Sequence, residues 1–437
     1  MLVDLYRRIV VEGTLASSDL HLTSRKRKRG IYTASVVLWL MILQRLHPRG
    51  TLSTAVSQLA CGRAGLLLAD CKRVRENRIS TATGAYCRAR MRFPKSMAEH
   101  VTGDIVERLR EQLAAPWPGL DAPVFVLDGS SLRLRHSREL LKAFPAGANQ
   151  HGPGHWPILL VVVLHEVQTG LAQRPCWGPM YGPRAVSEQA LAEEAMKQLP
   201  PGAAVIADRN FGIFSIAWAA RQQSHPVVVR LTAARACRLM GGPIAKAGQW
   251  AVTWKPTRWD QARQYGWPEE AGLDGRLVAA RVGRGKSKQW LYLFTTLPLP
   301  AEQIVAMYGE RWNVETDLRA LKQTVRLSEI QANSVDMMEK ELLLAVSAYN
   351  LVRAVMCLAA RQARIEPRQL SFTRVLDLVN WSWPHLLEAS ARGRHDQEFN
   401  RILTAATACK LPQRKKHRSY PRATWNHGES FPKRKSK

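Results

Sequence analysis

The chain has 437 residues, 46% of them hydrophobic, a formal net charge of +29 and a pI of about 10.5. That apolar share over this length excludes a disordered basic tail and implies a folded protein with a strongly cationic surface. The seven cysteines, at 61, 71, 87, 176, 237, 357 and 409, include no pair spaced for a zinc knuckle and no HExxH motif is present; a Cys- or His-built metal site is not expected, and unpatterned cysteines with no export signal fit a reducing cytoplasm.

Residues 1–118 read as a helical amino-terminal domain. Its basic run Arg25 to Arg29 leads into VVLWLMIL at 36–43, which is too short to span a bilayer and is followed at once by Gln44, Arg45 and His47. A buried helix is expected there, and no membrane partner. From Pro123 the pattern changes to short apolar runs, PVFVLDGSSLRL and WPILLVVVLHEV, then a helix SEQALAEEAMKQLP capped by Ser187, then GAAVIADRNFG, a helix FSIAWAARQQS and PVVVRL. Strands alternating with helices over 119–234 are expected to form the first part of an α/β core.

Residues 235–297 interrupt that core with GQWAVTWKP, GRLVAARVG and KQWLYLFTTL, whose alternation and aromatic content predict a β-rich insertion subdomain. Five tryptophans fall in it, Trp250, Trp254, Trp259, Trp267 and Trp290. Core filling explains most of them, and a basic segment this rich in indole also suits stacking against an extruded base. The second part of the core, with the carboxy-terminal helices, spans 298–405, and 406–437 is a basic tail without a core-forming pattern.

Two of the apolar runs lead into an aspartate, Asp128 and Asp208, and strand ends are where sites form. Downstream, AMYGERWNVETDLRALKQTV carries Tyr308, Arg311, Glu315 and Lys322 in the spacing Y-x2-R-x3-E-x6-K. On one continuous helix those offsets return the four side chains to within roughly a 60° sector. Val314, Leu318, Leu321 and Val325 fall on a separate stripe, so the helix buries one edge and presents Arg, Glu and Lys from the other. An exposed face with ordinary intrahelical pairs has the same pattern; two aspartates at strand ends upstream make a site the better reading.

Three carboxylates from distant parts of a chain suit two-metal phosphoryl transfer. Mg²⁺ takes one or two carboxylates beside water and phosphate oxygens, and two ions about 3.5 to 4 Å apart clamp the attacking and leaving oxygens. The +29 charge points to a polyanionic partner, for which nucleic acid fits best because Lys/Arg contacts to phosphates release counterions.

With both Asp strands in order, this spacing resembles the hallmark of bacterial DDE transposases of the insertion sequence 4 family. The resemblance covers most of the chain, through GAYCRARMRFP, LDGSSLRL, ADRNFG and LPLPAEQIVAMYGERWNVET. It implies a ribonuclease H-like core with the β-rich insertion between second Asp and Glu. It further implies Asp128, Asp208 and Glu315 as the metal-binding catalytic triad for two Mg²⁺ ions, with Mn²⁺ as substitute. Arg311 and Lys322 would hold phosphates near the cut and Tyr308 would contact DNA. In such enzymes one strand is cleaved first at the element end and the freed 3′-hydroxyl then joins target DNA, some relatives passing through a hairpin with an indole holding a flipped base. Double-stranded DNA is the expected partner, a homodimer the expected complex, and the nucleoid-bearing cytoplasm the expected location. Two alternatives stand beside it: a non-mobile nuclease of the same core, which needs neither insertion nor Y/R/K helix, and a non-catalytic DNA-binding derivative, whose usual trace is a lost acid.

Overall fold

In a computed structural model the described residues are 31–47, 50–61, 72–76, 78–114, 116–150, 152–258, 266–268, 270–283, 288–382 and 394–412. Ten strands are present among them: β1 (Val124–Arg133), β2 (Ala148–Asn149), β3 (Gly152–Pro153), β4 (Ile158–Glu166), β5 (Cys176–Pro179), β6 (Ala204–Ala207), β7 (Val227–Leu231), β8 (Gly248–Trp254), β9 (Leu273–Val282) and β10 (Gln289–Thr295). β2 and β3 form a small hairpin, and the rest make one mixed sheet in the order β5-β4-β1-β6-β7-β10-β9-β8. β1 pairs antiparallel with β4 and parallel with β6, and β6 pairs parallel with β7.

Strands β8, β9 and β10 lie within the 235–297 insertion. They do not form a sheet of their own: β10 pairs antiparallel with β7, Tyr292 opposite Leu231, and so continues the core sheet outward. An unpaired β7 edge would leave a row of buried backbone donors and acceptors, which β10 satisfies.

Alternation along the central strands loads both faces. Phe125, Leu127, Val205, Ala207, Val227 and Val229 pack with the helices Glu188–Met196 and Phe214–Gln222. Val124, Val126, Ile206 and Val228 point the other way and pack with Ile304, Met307, Val314 and Leu318. Asp128 continues the second set, so the period of two puts it on the face that carries the Tyr308 to Lys322 segment.

VVLWLMIL is the buried helix expected of it: Val36 through Leu43 are all within the core, in the helix Ala34–Leu46. That helix and Lys95–Leu113 share one hydrophobic core with the 29-residue helix Val335–Ala363 and with Leu132, Leu159 and Val161 of β1 and β4. Val335–Ala363 is long and apolar enough to cross a membrane, but here it is surrounded by protein.

Candidate active site

Parallel strands β1 and β6 stay in register up to Leu127 opposite Ala207. Asp128 and Asp208 follow one residue later on each, side by side where β6 ends. β1 itself runs on to Arg133 against β4, so Asp128 is not at a strand end as its sequence suggested. It sits at the point where the parallel neighbour stops. There the Asp128 carboxylate accepts from the Gly129 amide at 2.9 Å, and the Asp208 carboxylate accepts from the Asn210 amide at 2.8 Å in the following turn.

Burial pushes the Asp128 carboxyl up to about 6, and the neighbouring Asp208 and Glu188 add to the rise, while the Gly129 amide and the Arg311 guanidinium oppose it. Glu188 is likewise raised by burial and by Asp208. Carboxylate oxygens crowded in this way suit a hard divalent cation rather than a soft one.

Tyr308, Arg311, Glu315 and Lys322 are not on one continuous helix. Tyr308 is in the last turn of Ala301–Gly309, and Glu315 is in the first turn of Trp312–Arg319. Lys322 lies in a π-helical turn, Ala320–Thr324. Between the two helices the amides of Glu310, Arg311, Asn313 and Val314 reach back only three residues, to Met307, Tyr308, Glu310 and Arg311. The chain is therefore overwound before Glu315 and underwound after it, as often happens at functional positions. Neither departure is visible in a count of 100° per residue.

Three of these side chains nevertheless gather toward the aspartates: Tyr308 and Arg311 lie within electrostatic reach of Asp208, and Lys322 reaches the face of β1 that bears Asp128. Tyr308 is buried, and its hydroxyl makes no hydrogen bond of ordinary geometry, although burial raises its pKa and the nearby Arg311 and Arg230 guanidiniums draw it back down. Arg311 Nη2 donates to Glu315 Oε1 at 3.2 Å. Lys322 Nζ donates to Ser130 Oγ at 2.8 Å, and Ser130 shares Asp128's face of β1. Glu315 is held on Arg311 and does not close a three-acid cluster: among the described residues no group of three His, Cys, Asp or Glu side chains is close enough to hold one ion.

Matches to known proteins give the family of the chain. Residues 119–351, more than half of the chain, match the family model described as "Transposase DDE domain". The chain belongs to the DDE transposase family. It is also 24% identical over 443 residues to "Transposase InsG for insertion sequence element IS4" of Escherichia coli strain K12, covering 97% of this chain and 91% of that protein. The expectation of an insertion sequence 4 relationship is thereby borne out, and with it a DNA transposase.

Of the five insertion tryptophans, Trp254 is buried edge-on between Phe214 and Phe294, and Trp267 packs edge-on to Phe214. Trp290 stacks on Tyr292 under the Arg281 guanidinium, and Trp250 is partly buried against the same core. Trp259 lies outside the described residues. The strongly exposed indole near the acids is one not singled out in the sequence: Trp312, beside Arg311, is 58% exposed. Its place next to the arginine was the available signal. A cationic cleft of about 690 Å³ flanks the Asp208 turn, with Arg235, Arg238 and Lys255 around Trp254.

Proposed function

We propose that Asp128, Asp208 and Glu315 are the catalytic acids of this transposase and hold two Mg²⁺ ions, replaceable by Mn²⁺, at the DNA ends it cleaves and joins. The observation that carries this is the placing of Asp128 beside Asp208 one residue past the last common register of β1 and β6, beside Arg311 and the Lys322–Ser130 contact. When bound, the ions supply Lewis-acid activation of an attacking oxygen and stabilise the leaving one. The chain's own part is to fix the acids and to hold phosphate. Asp128 is fixed by strand pairing on both sides, and Asp208 by the Asn210 amide. Arg311 and Lys322 offer guanidinium and ammonium donors to phosphate oxygens beside the cut, and Tyr308 lines the same wall.

The half-sheet β5-β4-β1-β6-β7, three antiparallel strands continued by two parallel ones, supports a ribonuclease H-like core over 119–234 and 298–405. On this reading residues 1–118 bind the element end, 235–297 clamp it, and 406–437 add basic contacts, in a homodimer that brings two ends together in the cytoplasm at the nucleoid. The net charge of +29 suits double-stranded DNA on both the element and the target side.

The deciding experiment uses purified protein and a labelled fragment carrying one element end, with Mg²⁺, Mn²⁺ or excess EDTA. Strand cleavage with either ion and none with EDTA is expected. Cleavage undiminished by EDTA overturns the metal reading.

A further inference from the structure

Glu188 begins the helix Glu188–Met196, whose cap is Ser187 with Oγ accepting from the Ala190 amide at 3.1 Å. Its side chain is half-buried. It lies over β1, where a Cβ added to Gly129 would come within 2.8 Å of Glu188 Oε1. Gly129 is thus the one kind of residue that admits Glu188 at this spot, on the strand position next to Asp128.

The other carboxylate oxygen, Oε2, accepts a hydrogen bond from Asn210 Nδ2. The backbone amide of Asn210 donates to Asp208 Oδ1 at 2.8 Å. The next residue of the helix, Gln189, also reaches this turn, with Nε2 donating to the Asn210 carbonyl at 3.4 Å. Asn210 is therefore gripped from the helix at two points and in turn holds the second aspartate. Glu188 Oε2 is engaged by the Asn210 side chain, so its link to the second aspartate runs through that residue.

We propose that Glu188 is a positioning residue for the metal-binding aspartates, acting through Asn210 to fix the Asp208 carboxylate, with Gly129 as the seat that lets it approach. The proposal rests on the metal reading above and adds a residue to it. A first-turn glutamate can also act simply on the helix dipole. That role is indifferent to Asn210 and to which hydrogen-bond acceptor stands at position 188.

The test measures Mn²⁺ binding to metal-free, full-length protein by calorimetry, with Mg²⁺-dependent cleavage of the labelled end fragment alongside. Glu188→Ala and Asn210→Ala are each expected to weaken Mn²⁺ binding about tenfold, the size typical of lost support behind a ligand, and the double variant is expected to be no weaker than either. Glu188→Gln keeps an acceptor for Asn210 Nδ2 and is expected to bring binding back to within about threefold of the wild type. Wild-type binding by Asn210→Ala, or Glu188→Gln as weak as Glu188→Ala, overturns the proposal. Asn210 is exposed, so its variant carries the test even where Glu188→Ala fails to fold. Asp208→Asn separates the two levels. If it too leaves Mn²⁺ binding intact, the metal reading itself fails; if it abolishes binding while Glu188→Ala and Asn210→Ala do not weaken it, only the role of Glu188 fails.

Discussion

Lys322 Nζ donates to Ser130 Oγ at 2.8 Å, tying the π-turn that follows the Glu315 helix to the strand position two residues beyond Asp128. The contact aims an ammonium along the face of β1 that bears Asp128. Ser130→Ala is expected to leave that ammonium untethered and to slow cleavage of an end fragment roughly fivefold, about 1 kcal/mol for one hydrogen bond. Lys322→Ala should slow it further, while total DNA affinity stays within about threefold because many other cations contribute to it. Cleavage by Ser130→Ala at the wild-type rate would show that the serine does not orient the lysine.

The acids themselves are tested by amides. Asp128→Asn, Asp208→Asn and Glu315→Gln keep shape but lose the charge that attracts a hard cation, so each is expected to abolish cleavage with gel-shift affinity near that of wild type. An amide variant that still cuts at a near wild-type rate in Mg²⁺ removes that residue from the triad.

Much of this site was legible in residue types. The runs VFVLD and AVIAD carried their aspartates to neighbouring strands, and the spacing from Tyr308 to Lys322 named Tyr308, Arg311 and Lys322, which approach them, and Glu315, which is held on Arg311. What the spacing could not carry was backbone winding: three-residue hydrogen bonds around Arg311 and a π-turn at Lys322 depend on local packing, not on composition. The junction of β7 with β10 was hidden too, since it joins strands separated by the whole insertion. Glu188 gave no signal because a glutamate in a helix's first turn is commonplace, and its partners Gly129 and Asn210 come from other elements. The indoles stayed ambiguous in the sequence for a simpler reason. Alternation distinguishes strand from loop, but it does not tell an aromatic that fills a core from one that faces DNA.

Asp128 makes folding depend on pH in the metal-free protein. Its carboxyl rises from the ordinary 3.8 to about 6 on folding. The folded state therefore binds the extra proton: its contribution to stability is full below about pH 4, is lost as pH rises toward 6, and stays lost above that. Asp128→Asn is expected to be more stable than wild type at pH 7.5 by about 1 to 3 kcal/mol, given about 1.4 kcal/mol per unit. The advantage should vanish near pH 4. Thermal melts in EDTA at the two pH values check it; an equal difference at both contradicts the assignment of the raised carboxyl to Asp128.

Tryptophan substitutions should divide by burial. Trp254→Ala removes an indole set between Phe214 and Phe294 and is expected to cost about 3 to 5 kcal/mol of stability, lowering every DNA product together. Trp312→Ala should leave the melting temperature unchanged, because the ring is 58% exposed. If that ring stacks on a base beside Arg311, its loss should weaken the end complex by about 1 to 3 kcal/mol. A Trp312→Ala variant with wild-type end binding and product distribution would remove the ring from the DNA interface.

Two residues past Glu315, Asp317 is fully buried and receives two arginines, Arg353 from the long helix and Arg368 at 2.9 Å. Burial alone would raise its carboxyl, but the two guanidiniums hold it below the ordinary range, so it is charged at neutral pH. This pairing fastens the helix Trp312–Arg319 to Val335–Ala363 on the side opposite Glu315. Asp317→Asn keeps the volume yet leaves the buried Arg353 and the half-buried Arg368 short of a counter-charge, and a loss of about 3 to 5 kcal/mol is expected. Because the same helix carries Glu315, cleavage should fall even at temperatures where the variant remains folded. Replacing only Arg368 with Met leaves Asp317 paired to Arg353 and should cost less in both measurements. Urea unfolding with parallel cleavage assays distinguishes the cases: if Asp317→Asn loses stability but folded protein cuts at the wild-type rate, the buried pairing supports the fold without setting the position of the third acid.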